Sequence, residues 1–143
     1  MKVFDANVIL YALDESSEPH QAAKLCLETG FSGNETIGLA WAVLLAVLRI
    51  GTNPRIFRHP LSADDVFDYI DNWLALPNVV EVHPTDRHAR ILRELLAHAG
   101  AAGKHTTDAH LAALAIEHGA TLVSFDYDFA RFPGLKWVRP DRS

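Results

Sequence analysis

Short apolar runs of β type alternate along this chain with segments of helical periodicity, and glycine, proline or a capping residue punctuates them. Lys2 to Asp5 reads as a brief strand, with Val8 to Leu13 turning helical behind it. Pro19 stands where a helix can begin, since its missing N–H would be unpaired there anyway, and Gly30 is expected to end that helix. Trp41, Leu44, Leu45 and Leu48 follow an i, i+3, i+4, i+7 pattern, one buried helical face, before Gly51-Thr52-Asn53-Pro54 breaks the chain. Ser62 with Asp65 resembles a capping box ahead of a helix that sets Val66, Phe67, Ile70, Trp73 and Leu74 on one side. Asn78 to His83 reads as a second strand, Thr85 as the N-cap of a helix reaching about Ala99, and Gly100 to Gly103 as a joint. Thr106 or Thr107 is expected to cap a helix ended by Gly119. Thr121 to Phe125 forms a third strand and Trp137-Val138 a short fourth. Such alternation predicts an α/β/α sandwich on a central, mainly parallel sheet, one domain over residues 1–143.

Composition narrows the function classes. A formal net charge of -5 argues against sequence-independent wrapping of nucleic acid, while leaving room for a local basic strip. The single cysteine, Cys26, forbids an intrachain disulfide or a cysteine-rich zinc cage, and a reducing, cytoplasmic setting is expected. The longest apolar stretch, Ile37 to Leu48, is stopped by Arg49 well short of the roughly 20 residues a membrane span needs. Neither GxGxxG nor GxxxxGK[ST] occurs, and the eight histidines are scattered without an H-E-x-x-H, so nucleotide fingerprints and zinc chemistry are set aside.

The acids carry the rest. Most of the eighteen are ordinary surface, but Asp5 directly follows the first strand and Asp126 directly follows Leu122-Val123-Ser124-Phe125. Parallel α/β sheets bind ligands at the carboxyl ends of their strands, so these two carboxylates aim into one crevice. Asp108 lies in the first turn of a helix whose N-terminus faces the same edge. Each acid also has a bland role open to it: Asp5 a helix N-cap, Asp126 or Asp128 a turn residue, Asp108 a partner of the helix dipole. Together they repel unless a cation sits among them, and an all-oxygen set suits Mg²⁺ or Mn²⁺.

Asp5-Ala6-Asn7, Thr107-Asp108-Ala109-His110-Leu111-Ala112 and Ser124-Phe125-Asp126-Tyr127-Asp128-Phe129 resemble the three outer motifs of PIN-domain ribonucleases. The stretch from Trp41 to Phe57 and Arg131-Phe132-Pro133-Gly134-Leu135 resemble the VapC toxins of VapBC toxin–antitoxin pairs, so that nearly the whole chain is covered in order. The resemblance implies a PIN-like fold and a metal-dependent endoribonuclease. Asp5, Asp108 and Asp126 would be catalytic residues and ligands of Mg²⁺ or Mn²⁺, with Asn7 and Asp128 beside them holding waters or supporting the ligands. It further implies an RNA substrate, a cognate VapB-type antitoxin, a homodimer and no membrane association.

One position departs from the family. VapC-like sequences carry a glutamate directly after the tryptophan of the second motif, and here it is Ala42, with no other acid between Glu35 and Asp64. The position reads either as a natural weakening of the centre or as a change made to it, and a slow nuclease is expected in both cases. The alternative function is a catalytically inactive PIN-like module that binds RNA or protein. Haloacid-type phosphotransfer wants D-x-D where Asn7 stands, and a phospho-receiver wants an acidic pair at the first strand with a late strand-end lysine. Arg49, two turns along from Ala42, is a candidate phosphate contact. Arg55, Arg58, His59, Arg87, His88, Arg90, Arg93, Lys104 and His105 are candidates for a local positive strip, and His110 is expected to face away from Asp108. Phe67, Tyr69, Trp73 and Leu74 read as core or dimer surface rather than base-stacking platforms, and Phe132 and Trp137 as core.

Overall fold

Among the described residues five strands of three residues each make one sheet: β1 (Lys2–Phe4), β2 (Ile37–Leu39), β3 (Val79–Glu81), β4 (Thr121–Val123) and β5 (Lys136–Val138). All four pairings are parallel, in the order β3-β2-β1-β4-β5. Among the described residues six α-helices cover it: α1 (Ala6–Leu13), α2 (His20–Ser32), α3 (Trp41–Gly51), α4 (Ala63–Leu74), α5 (His88–Ala99) and α6 (Thr106–Glu117). This computed structural model describes residues 1–99, 103 and 105–142. Lys104 and most of the expected joint, Gly100 to Ala102, therefore lie outside the described residues.

The strands are short but apolar on both sides, as strands covered by helices on two faces must be. Val3, Phe4, Ile37, Leu39, Leu122 and Val123 are all essentially inaccessible to solvent. Because β1, β2 and β3 step one way along the sheet and β4 then returns beyond β1, right-handed crossovers put α5 and α6 on the face opposite α1 to α4. The expected α/β/α layering is what forms, with a wholly parallel sheet.

Several boundaries differ from the sequence reading. β2 was hidden inside the apolar run Ile37 to Leu48, because a three-residue strand passing straight into a helix shows neither period clearly. Gly38 at its centre is a packing requirement: a Cβ there would sit 2.4 Å from Val82 Cγ2. Gly30 does not end α2, which continues to Ser32; it lies against the Phe4 ring, where a Cβ would come within 2.8 Å. His105, rather than Thr106 or Thr107, precedes α6, without a side-chain cap bond. Thr85 stands ahead of α5, its hydroxyl accepting the Arg87 N–H at 3.2 Å as a cap would while donating to Glu117, as described below. The Ser62 cap does form, accepting the Asp65 N–H at 3.1 Å. Trp73 and Phe132 are buried, whereas Phe67 and Tyr69 are exposed on the α4 surface.

Candidate metal centre

The chain leaving β1 runs along the sheet toward β2, and the chain leaving β4 runs the other way toward β5. Neighbouring strands that part in this manner leave a crevice at their carboxyl ends, the usual ligand position of open α/β sheets. Asp5 follows β1 at that edge; Ser124 and Asp126 follow β4; and α6, antiparallel to the strands, brings Asp108 to it in its first turn.

The local roles expected of these acids are filled. Asp5 is the N-cap of α1, its Oδ1 accepting the Ala6 N–H at 2.7 Å. Asp126 caps a 3-10 turn, Tyr127–Arg131, by accepting the Asp128 N–H at 2.8 Å. Capping and convergence are thus not rival explanations here: the caps fix where the carboxylates point.

Ser124 joins the two strand ends and is the residue the sequence reading missed. Its hydroxyl is fully buried, donates to Asp5 Oδ2 at 2.7 Å, and accepts from Asn7 Nδ2 at 3.1 Å and the Asp126 N–H at 3.0 Å. Asn7 completes the stitch by accepting the Phe125 N–H at 3.2 Å. A small polar residue after an apolar strand is a weak signal, legible only once β1 and β4 are known to be neighbours.

The electrostatics are strained. Burial pushes the Asp5 carboxyl above the usual range, its bonds from Ser124 and Ala6 notwithstanding. Asp108 is pushed up to about 6, first by burial and then by the charges of Asp126, Asp5 and Asp128, against which Arg131 is a smaller opposing influence. A helix N-terminus on its own would move Asp108 the other way, so burial and like charge prevail. Surplus negative charge on oxygen donors is the condition a hard divalent cation relieves, and the donor set fits one. Among the described residues the group that closes to ligand size is His105, Asp108 and Asp128, which can each offer an atom within 4.8 Å of the others; the expected trio of Asp5, Asp108 and Asp126 does not close to that distance.

The sequence matches the PIN domain family over residues 2–135. It is 44% identical over 140 residues to Ribonuclease VapC37 of Mycobacterium tuberculosis, covering 98% of this chain and 97% of that one. Ribonuclease VapC33 of the same species is 39% identical over 142 residues, covering 99% of each. The chain belongs to the PIN-domain family, among the VapC ribonucleases. Solved PIN-domain structures superpose at lower identity and bear on the fold: VapBC2 from Rickettsia felis bound to a promoter DNA fragment has a TM-score of 0.67 at 21% identity, covering 96% of this chain and 97% of that one. VapC20 of M. tuberculosis, described as a sarcin–ricin loop cleaving toxin, has a TM-score of 0.66 at 16% identity, covering 95% of this chain and 99% of that one.

In this PIN domain Ala42 lies in the first turn of α3 and lines a groove with Leu45, Arg49 and Thr107, the neighbour of Asp108. The groove bears out Ala42 and Arg49 sharing a helical face, and it reaches Thr107 at the start of α6. Arg49 is exposed, and among the described residues its guanidinium makes no ion pair. Trp41 is anchored elsewhere, its indole N–H donating to the Glu81 carboxylate. Arg87 and His88 serve not a positive strip but Glu117: Arg87 donates to its carbonyl at 2.6 Å, and His88 Nδ1 meets its carboxylate. His110 faces away from Asp108, as expected, and meets His88 Nε2 at 2.9 Å.

Proposed function

We propose that this chain is the toxin of a type II toxin–antitoxin pair, an endoribonuclease that hydrolyses RNA phosphodiester bonds with a divalent cation. The observation that carries the reading is the convergence of Asp5, Asp108, Asp126 and Asp128 at the β1–β4 edge, with Asp108 pushed up to about 6 by burial and by the charges of its neighbours. An inactive binding module has no need of four carboxylates held in mutual repulsion, which favours catalysis over that alternative.

Asp5, Asp108 and Asp126 are the residues read as metal ligands, and the all-oxygen set favours Mg²⁺, with Mn²⁺ the near substitute. When bound, such an ion supplies an acidified water and neutralises charge developing on the phosphate oxygens. The chain's own part is positional. Ser124 holds Asp5 through a donated hydrogen bond, so that Oδ2 is kept as a carboxylate acceptor. Asn7 locks the strand ends together, so the spacing between Asp5 and Asp126 does not drift. Arg49, exposed on the groove wall, is read as the contact to backbone phosphate of the substrate.

The whole of residues 1–143 is read as one PIN domain, acting in the cytoplasm as a homodimer with a cognate VapB-type antitoxin. No helix among the described residues is long and apolar enough to cross a membrane. The test is cleavage of total cellular RNA with Mg²⁺ or Mn²⁺ by this chain and by its Ala42→Glu form, with EDTA and Asp108→Asn as controls. Discrete cuts, faster with Ala42→Glu and abolished by both controls, are expected. No cutting by either form with either metal would move the reading to the inactive module.

A further inference from the structure

The turn that carries Asp126 and Asp128 ends in Arg131, and this arginine folds back over the acidic edge. Phe129 and Phe132, both buried, anchor the turn on the core and fix where Arg131 begins. Its Nε donates to the Asp128 carbonyl at 3.1 Å and its Nη2 to Asp128 Oδ1 at 3.3 Å. Its Nη1 donates to His105 Nε2 at 2.7 Å. An arginine offers only donors, so His105 Nε2 must be the unprotonated nitrogen and its ring proton sits on Nδ1. His105 is itself 6% exposed, and its nitrogen is therefore presented as a lone pair, the form a metal would take.

His105 and Asp128 are two of the three residues that can close together with Asp108 into a ligand-sized group. The guanidinium thus lies on donors that a cation there would use. We propose that Arg131 is a built-in cation filling a second cation position, His105–Asp108–Asp128, so that the centre takes a single divalent ion on its Asp5–Asp108–Asp126 side. The proposal rests on the metal-centre reading above and deepens it. Its chemistry is consistent: arginine keeps its charge across the working pH range and offsets one carboxylate permanently, whereas a second ion would come and go with concentration. The vacated position, with an imidazole among its donors, would also suit Mn²⁺ better than Mg²⁺, which prefers oxygen alone. Arg131 is a positioning residue in this account, holding His105 and Asp128 in place.

The test counts bound ions. Mn²⁺ is titrated into the full chain while the free hexahydrated ion is followed by electron paramagnetic resonance, with calorimetry giving the affinities. The expected results are one ion for the unaltered chain, one for Arg131→Lys, which keeps the charge, and two for Arg131→Gln. Adding Asp128→Asn, an exposed change that threatens the fold little, to Arg131→Gln should weaken the second ion by at least tenfold. Circular dichroism checks that each variant is folded, and should Arg131→Gln fail to fold, Arg131→Met is counted in its place. Two ions in the unaltered chain, or a count of one with unchanged affinity after the arginine is neutralised, would overturn the proposal while leaving the metal centre standing. No ion in any form would overturn both.

Discussion

Helix α6 carries a half-buried or buried acid at each end, and the protein treats the two oppositely. Glu117, in the last turn, has a side chain closed off from solvent and every need met: it accepts from Thr85 N–H at 2.8 Å, from the Thr85 hydroxyl at 2.6 Å, and from His88 Nδ1. Those bonds and the His88 charge hold its carboxyl below the usual range, though burial works the other way. Asp108, in the first turn, sits among three further carboxylates and is pushed up to about 6. One acid is satisfied by the fold and ties α5 to α6. The other is left wanting a cation. A cluster whose discomfort the fold could have relieved, and does not, marks function more clearly than burial or charge alone.

Neutralising each acid is the sharpest way to break that contrast. Asp108→Asn should lower RNA cleavage on the order of 10³-fold or more, since it removes a metal ligand. It should also stabilise the metal-free protein at pH 7, on the order of 1–2 kcal/mol after solvent screening, because a repelled charge is gone. Glu117→Ala should do the reverse, costing about 3 kcal/mol by leaving His88 and Thr85 without their acceptor while the folded fraction keeps its cleavage rate. Urea unfolding read beside cleavage separates the two. A destabilised Asp108→Asn would show that Asp108 is structural after all.

The same pair predicts opposed pH dependences. The folded pKa of Asp108 lies above its unfolded value of 3.8, so the stability its proton contributes is complete below 3.8 and disappears as pH rises through about 6. Glu117 is depressed below 4.5 in the folded protein, so its contribution is present above 4.5 and lost as pH falls through the folded value. Metal-free stability followed from pH 3 to 8 should therefore climb out of acid and then decline toward neutrality. Asp108→Asn should shrink the decline to the part that the raised Asp5 carboxyl contributes, and spare the climb. Saturating Mn²⁺ should remove the decline, since a bound cation takes the place of the proton.

How far the sequence disclosed this contrast depends on what kind of neighbour each residue has. Asp5 and Asp126 were legible because an acid immediately after an apolar strand is a local pattern, and the sandwich followed from alternation. Ser124, Arg131 and Thr85 were not, because each acts across the fold: Ser124 joins strands whose residues stand 119 positions apart at Asp5, and Thr85 reaches Glu117 across 32. Thr85 does take the local role, its hydroxyl accepting the Arg87 N–H at 3.2 Å, and only its second, distant partner lay beyond the sequence pattern. His110 could be placed by the helix turn alone, but that it joins His88 could not. β2 stayed hidden for the converse reason, a local signal too short to separate from the helix that follows it.

Ser124→Ala probes the contrast from the side of the organised scaffold. Removing the hydroxyl takes a donor from Asp5 Oδ2 and an acceptor from Asn7 and the Asp126 N–H. A cost of about 1–3 kcal/mol in unfolding free energy is expected. Asp5 should also become harder to ionise, since Ser124 is the largest influence now lowering it, and metal binding should then shift to higher pH. An unchanged pH midpoint for Mn²⁺ binding would mean that Asp5 is no ligand, whatever the stability change.

The smallest expected change comes from adding to the strained end rather than subtracting from it. Ala42 is only partly exposed on the groove it shares with Thr107, so Ala42→Glu brings one more carboxylate toward Asp108. Without metal this should cost about 0.5–1 kcal/mol at pH 7 through like-charge repulsion at a solvent-accessible wall. With saturating Mn²⁺ the cost should vanish or reverse, because a further oxygen donor then has a cation to face. Glutamate introduced instead at exposed Leu45, also on that groove, gives the control: it should show a smaller repulsion and no metal-dependent reversal. A cost at Ala42→Glu that metal does not relieve would mean that position 42 faces the groove rather than the acids. The cluster would then be complete with the four carboxylates and one arginine it already has.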